Sequence, residues 1–230
     1  MADVTIAGRT FYRDGAWNTL CLPFDVTIAG SVLDGADLRA LDNADLKDGV
    51  LTLNFTPAAP AEGAVTAIEA GKPYIIKWSK PGSYVAYNGQ NAATCSDIVS
   101  PTFKGVTITA PTPQPVTFTG GSFKGTYQSI TFTDKNPSIL FLGAGNTLYY
   151  PESGAKIGAQ RAYFDLGTAQ ARQFVLNFDG EGTQNGIGLT EITEITERAG
   201  AWYTIDGVRL DGKPTKKGLY IHGGKKVVVP

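Results

Sequence analysis

The chain has 230 residues with 20 basic and 21 acidic side chains, so it is long enough for a substantial core and lacks the basic excess of a nucleic-acid binder. Hydrophobic residues make up 42% of it, which excludes wholesale disorder, and 28 glycines with 13 prolines point to short strands joined by tight turns. No apolar run approaches the ~20 residues a membrane-spanning helix needs. One histidine and two cysteines are too few for a zinc site.

In chain order, Ala2-Asp3-Val4-Thr5-Ile6 reads as a strand directly after Met1, with no signal peptide between them. The chain is then either cytosolic or, as the resemblance below favours, preceded in the native protein by a further segment. Residues 41–47 suggest a turn. Leu51, Leu53 and Phe55 alternate with Thr52, Asn54 and Thr56, which places the apolar three on one sheet face. The same alternation pairs Val106 with Ile108, Val116 with Phe118, and Ile130 with Phe132. Tyr74-Ile75-Ile76, Ile139-Leu140-Phe141-Leu142 and Phe174-Val175-Leu176 read as strands buried on both faces. Turn signals separate these runs at Asp14-Gly15, Lys47-Asp48-Gly49, Pro81-Gly82, Asn88-Gly89, Gly120-Gly121 and Asp206-Gly207.

Helical signal is thin: residues 167–173 form at most a turn, and residues 189–199 read as strand or extended linker. The glycine-rich stretch 179–188 is the expected boundary. Beyond it Trp202-Tyr203-Thr204-Ile205, Val208-Arg209-Leu210, Gly218-Leu219-Tyr220-Ile221 and residues 226–229 give three or four short strands, a piece too small to be stable unpacked. The expected fold is all-β: an antiparallel β-sandwich over residues 1–180, a linker or edge strand over 181–200, and a C-terminal β-hairpin tail over 201–230 packed on the sandwich. The sextet Asp3-Val4-Thr5-Ile6-Ala7-Gly8 recurs residue for residue from Asp25 to Gly30, and Phe103-Lys104-Gly105 recurs as Phe123-Lys124-Gly125. Without a sustained period these echoes read as similar strand-turn pieces rather than a solenoid.

Three segments carry a resemblance: Arg9-Thr10-Phe11-Tyr12 with Trp17-Asn18-Thr19-Leu20-Cys21-Leu22-Pro23-Phe24; Ala70-Gly71-Lys72-Pro73-Tyr74-Ile75-Ile76-Lys77-Trp78; and the tail from Trp202 through Asp206-Gly207 to Lys213-Pro214-Thr215-Lys216-Lys217-Gly218-Leu219-Tyr220-Ile221. Together they resemble the C-terminal region of large secreted or surface proteins of gut Bacteroides and Prevotella type, where it follows leucine-rich or other extracellular repeats. The tail also resembles the C-terminal sorting domains of that phylum. The resemblance implies an extracellular or outer-membrane-associated location and brings no catalytic or ligand residues with it.

Catalytic equipment is sparse. His222, the single histidine, would have to serve any Ser-His-Asp or Cys-His arrangement, and no Gly-x-Ser-x-Gly elbow is present. Asp25, Asp165, Asp179 and Glu181 lie at strand ends and could in principle supply the two carboxylates of a glycoside hydrolase, but nothing in their spacing selects a pair. Asp34, Asp37, Asp42, Asp45 and Asp48 are too irregularly spaced for a calcium loop and read as a solvated hairpin face. The lysines within 213–217 and at 225–226 read as charges that block edge pairing. A Cys21–Cys95 disulfide would close a long loop and add ~4 kcal/mol if unstrained, although a small buried thiol needs no partner.

The better-supplied chemistry is sugar recognition, in which aromatic rings stack on apolar sugar faces and amides fix the hydroxyls. Trp78, Tyr84, Tyr87, Asn88, Gln90 and Asn91 gather around two turns, and Tyr149-Tyr150-Pro151 is a second aromatic cluster; core or edge packing is the competing role for each. The sequence therefore points to a non-catalytic secreted or cell-surface module of structural or adhesive type, with no cofactor and no metal. A glycan-binding module is the alternative, and a glycoside hydrolase a distant third. Expected partners are a host or dietary glycan or another surface protein, not nucleic acid, and the chain is expected to be monomeric without a membrane span.

Overall fold

The computed structural model describes residues 1–79, 96–143, 146–178 and the backbone of strands 181–183, 202–204, 209–210, 218–222 and 225–229. These residues are all-β. The chain divides into two compact units, Met1–Gly188 and Leu189–Pro230.

The first unit is built on a six-stranded sheet in the order β19 (Glu181–Thr183), β18 (Gln173–Phe178), β6 (Val50–Phe55), β5 (Asp37–Lys47), β8 (Pro73–Lys77), β3 (Asn18–Cys21). It faces a five-stranded sheet in the order β11 (Val116–Phe118), β12 (Gly121–Thr126), β17 (Arg161–Asp165), β14 (Ile139–Leu142), β15 (Leu148–Tyr149). The inward side chains of both sheets make one core, including Leu51, Leu53, Phe55 and Ile75 from one and Phe123, Leu140 and Phe164 from the other. Phe123 and Phe164 sit opposite each other in the β12–β17 register and stack with centroids 4.5 Å apart. This is a sandwich, but not a purely antiparallel one. β18 runs parallel to β6, pairing Phe174 with Leu51 and Leu176 with Leu53, because the chain returns to this sheet only after building the other.

A second core covers the opposite face of the β3–β8–β5 end. Leu20, Leu38, Tyr74 and Ile76 project into it and meet Ile6, Phe11, Phe24, Val26, Ile28, Ile68 and Phe103. The covering layer comprises three two-stranded ladders: β1 (Ala2–Thr5) with β10 (Thr102–Val106), β2 (Thr10–Phe11) with β9 (Ile98–Val99), and β4 (Val26–Thr27) with β7 (Ala67–Ile68). The repeated sextet proves to be one local structure used twice. In each copy the isoleucine, Ile6 or Ile28, is 7% exposed in this core. Its carbonyl accepts from the amide three residues on, Arg9 or Ser31, and Gly8 and Gly30 both have φ of 74°.

Several strand readings need correction. Residues 41–47 are strand, not turn: β5 runs on to Lys47, and a bulge between Leu41 and Asn43 resets its alternation so that Leu41 and Ala44 share a face. The expected turn comes directly after it, with Asp48 and Gly49 at φ 53° and 81° joining Lys47 to Val50. Ile108 lies beyond the end of β10 and is 60% exposed; Phe103 is the buried member of that strand. In β18 only Phe174 and Leu176 are buried while Val175 faces outward, and in β14 Phe141 and Leu142 are only half-buried. Tyr74-Ile75-Ile76 is buried on both faces as expected.

The second unit holds a four-stranded antiparallel sheet in the order β21 (Arg209–Leu210), β20 (Trp202–Thr204), β22 (Gly218–His222), β23 (Lys225–Val229).

Candidate functional site

Trp78, the anchor of the expected sugar site, is a core residue. It follows β8 directly, is 3% exposed, and its indole N–H donates to the Asp34 carbonyl at 3.0 Å. Phe11 lies 6.0 Å from its ring and the Arg13 guanidinium 5.9 Å away, so neither ring face is open to a stacked sugar. A Trp at the end of a run buried on both faces continues the burial, which is the physical reason for the correction. Tyr84, Tyr87, Asn88, Gln90 and Asn91 lie outside the described residues, as does Cys95. In the second aromatic cluster Tyr150 is structural: its hydroxyl donates to the Ala171 carbonyl at 2.6 Å and accepts from the Ala171 amide at 2.9 Å.

The carboxylates considered for hydrolysis are tied into the fold where they are described. Asp25 accepts the Ala70 amide at 2.7 Å. Asp165 accepts from Lys124 Nζ at 2.7 Å and from the Gly167 amide at 2.9 Å. Burial pushes the Asp165 pKa up, but those two bonds outweigh it and hold the carboxyl below its ordinary value. The side chains of Asp179, Glu181 and His222 lie outside the description. In the acidic stretch, Asp37 pairs with Arg39 at 2.6 Å and Asp42 accepts from Asn43 at 2.8 Å. No group of three metal-ligating side chains occurs among the described residues.

Cys21 is a free, buried thiol that donates to the Gly71 carbonyl at 3.2 Å. Burial pushes its pKa up to about 12, the opposite of what a nucleophile needs. It sits against Gly125 so closely that a Cβ there would lie 2.1 Å from its Sγ.

The described surface does contain one cleft with concentrated charge. It has a volume of about 340 Å³ and lies where β3, β14, β16 (Lys156–Ile157) and β17 meet. Phe141, Leu142, Ile157 and Ala162 give it apolar walls, and Thr19, Lys156 and Arg161 its polar groups. The turn from β16 to β17 puts the two cations at its ends, with Gln160 at φ 51°. Thr19 Oγ1 accepts the Ala162 amide at 3.1 Å, which fixes the hydroxyl and leaves its proton free to donate. Behind Thr19 lies Arg9, 4% exposed, whose Nη2 donates to the Thr19 carbonyl at 2.7 Å and whose guanidinium covers the Phe11 ring at 4.5 Å. Its Nε and Nη1 are buried without a partner. Burial and the nearby Arg161 charge pull Arg9 down to about 9, still cationic at neutral pH, and burial likewise lowers Arg161.

No family model, curated protein or solved structure matches the chain. The site must therefore be read from its own chemistry. Sequence reasoning missed it because Arg9, Thr19, Lys156 and Arg161 are unremarkable singly and lie on segments far apart in the chain. The nearest signal was Lys156-Ile157-Gly158-Ala159-Gln160-Arg161, two cations spaced by a glycine-containing turn.

Proposed function

We propose that the chain is a non-catalytic structural or adhesive module of a larger secreted or cell-surface protein of gut Bacteroides or Prevotella type. The observation that supports this most is what the potentially reactive groups do. Asp25 and Asp165 hold loop amides and a lysine, Cys21 is a suppressed thiol beneath a close sheet contact, and Tyr150 staples Ala171. Each serves packing, as expected of a module whose task is to hold shape and display its neighbours. The four-stranded sheet of the second unit carries the tail resembling sorting domains, which favours an envelope location. The full-length protein in a host of that type should be removed from intact cells by external protease and should turn over none of a panel of chromogenic glycosides. Recovery with cytosolic markers would overturn the location, and turnover abolished by Asp165→Asn would overturn the non-catalytic reading. Glycan binding is the second reading, and the Arg161–Phe141 cleft is the observation that favours it.

A further inference from the structure

A buried guanidinium, Arg9 on the Thr19 carbonyl, and a half-buried one, Arg161 in the cleft wall beside Thr19, make no ion pair among the described residues. Desolvating a cation without a counter-charge is costly, and two together more so, because each also repels the other. Cations held this way beside a cleft mark it as a candidate binding site for an anion. Arg9 is held in place by Thr19 and Phe11, its Nε and Nη1 have no partner, and its charge is fixed behind the Thr19 wall of the cleft. Arg161 lines the cleft itself. Its position depends on Gly158: a Cβ there would stand 3.0 Å from Arg161 Nε and 3.5 Å from its Cδ. The backbone thus leaves room for the guanidinium fork at the cleft.

The remaining walls limit the anion. A bare phosphate would use the cations and leave Phe141, Leu142 and Ile157 unoccupied. A volume of about 340 Å³ is at the small end of ligand pockets, room for one ring and not a chain. The ligand needs one planar anionic group for the arginine fork, one apolar face for Phe141 and Ile157, and hydroxyls for Thr19. We propose that this cleft binds a single acidic sugar residue, its carboxylate on Arg161 and Lys156 and its C–H face against Phe141. The site requires neither the surface location nor the structural role proposed above. Its test uses the purified chain, so the two proposals fail separately.

The test is titration followed by ¹⁵N-HSQC shifts and calorimetry at low salt, with glucuronate, galacturonate and N-acetylneuraminate against glucose, hexanoate and phosphate. The expected result is saturable binding of at least one acidic sugar, at least tenfold tighter than each control, weakening as salt rises. Arg161→Met should weaken it at least tenfold and Arg161→Lys several-fold, because a point charge cannot copy the fork. Gly158→Ala should also weaken it several-fold by displacing Arg161, and Lys135→Ala, a charge removed from the exposed Lys135–Glu152 pair, should leave it unchanged. Should Arg161→Met not fold, the exposed Lys156→Ala reads the same site. Absence of binding by all three acidic sugars overturns the proposal. So does equal binding of hexanoate or phosphate, or unchanged affinity in the folded Lys156 and Arg161 variants.

Discussion

The two ends of the six-stranded sheet obey different rules. At the β3–β8 end both faces are buried: Ile75 enters the core between the two sheets, while Tyr74 and Ile76 enter the core under the short ladders. At the β6–β18 end only one face carries a hydrophobic core among the described residues. Leu51, Leu53, Phe174 and Leu176 point inward, and the outer face carries a run of side-chain amides in which Asn177 donates to Asn54 and Asn54 to Asn43, each at 2.6 Å. One sheet thus combines the two-sided burial usual in layered α/β folds with the one-sided burial usual in sandwiches. The difference lies in what covers the second face. The N-terminal ladders reach only as far as β5.

The sharpest test of the two-sided end is Gly125. Its absent Cβ leaves room for Cys21, and an added methyl would meet both Sγ at 2.1 Å and Cβ at 2.5 Å. Neither neighbour can yield, since β3 is clamped between two layers. Gly125→Ala should cost about 3 kcal/mol or more, or prevent folding, as overpacking does in a tight core. Urea denaturation checks it, and a loss below about 1 kcal/mol would mean that β3 can move away from β12.

A matched pair of substitutions measures the contrast directly. Ile76→Thr places a hydroxyl in the fully buried second core and removes a methyl, and should cost about 2–4 kcal/mol. Val175→Thr makes a near-isosteric change on the outer face of β18, where water reaches the hydroxyl, and should stay within about 0.5 kcal/mol. Similar losses at the two positions would mean that the outer face is covered after all.

The same contrast explains how far the sequence could be read. Leu51, Leu53 and Phe55 alternate cleanly because β6 has one wet face, and Tyr74-Ile75-Ile76 is continuous because β8 has none. Phe174-Val175-Leu176 looks identical to the second pattern, yet Val175 faces outward; a half-exposed valine carries no mark of its exposure. β5 was hidden by its bulge, which puts Leu41 and Ala44, three apart, on one face, while Leu38 enters the other core, so the strand shows no simple alternation. The parallel return of β18 was also illegible, since sheet order depends on long-range pairing that no local pattern carries. Trp78 misled for a related reason, because an aromatic beside a loop looks the same whether it stacks on a ligand or on Phe11. The Arg161–Phe141 cleft was harder still, its residues meeting only through the fold.

The two-sided end should also respond to pH through Cys21 and Tyr127. Burial raises both to about 12, and the Tyr127 hydroxyl donates to the Ala110 carbonyl at 3.1 Å. Both groups are neutral in the folded chain where the unfolded chain has already ionised, so the unfolded state holds fewer protons. Stability is therefore fully present below pH ~9 and falls as pH rises towards ~12. By pH ~10 the thiol alone should account for about 1 kcal/mol. Cys21→Ala should flatten this slope when unfolding is followed between pH ~8 and ~10.5. An unchanged slope would show that the thiol already ionises in the folded state.

The smallest effect belongs to the outer face. Asn54 links Asn43 on β5 to Asn177 on β18, so it ties an antiparallel neighbour to a parallel one across the strand between them. Asn54→Ala removes two side-chain bonds from a half-buried site outside the hydrophobic cores. The net cost should be about 0.5–1 kcal/mol, well below any core substitution, with no change in the shifts of the Arg161 cleft. Hydrogen exchange should place the loss in β18, which relies on the ladder and one core face, and leave β8, buried on both sides, protected. Equal loss of protection in β8 would show that the two ends open as one unit, and the contrast between them would then be one of surface chemistry alone.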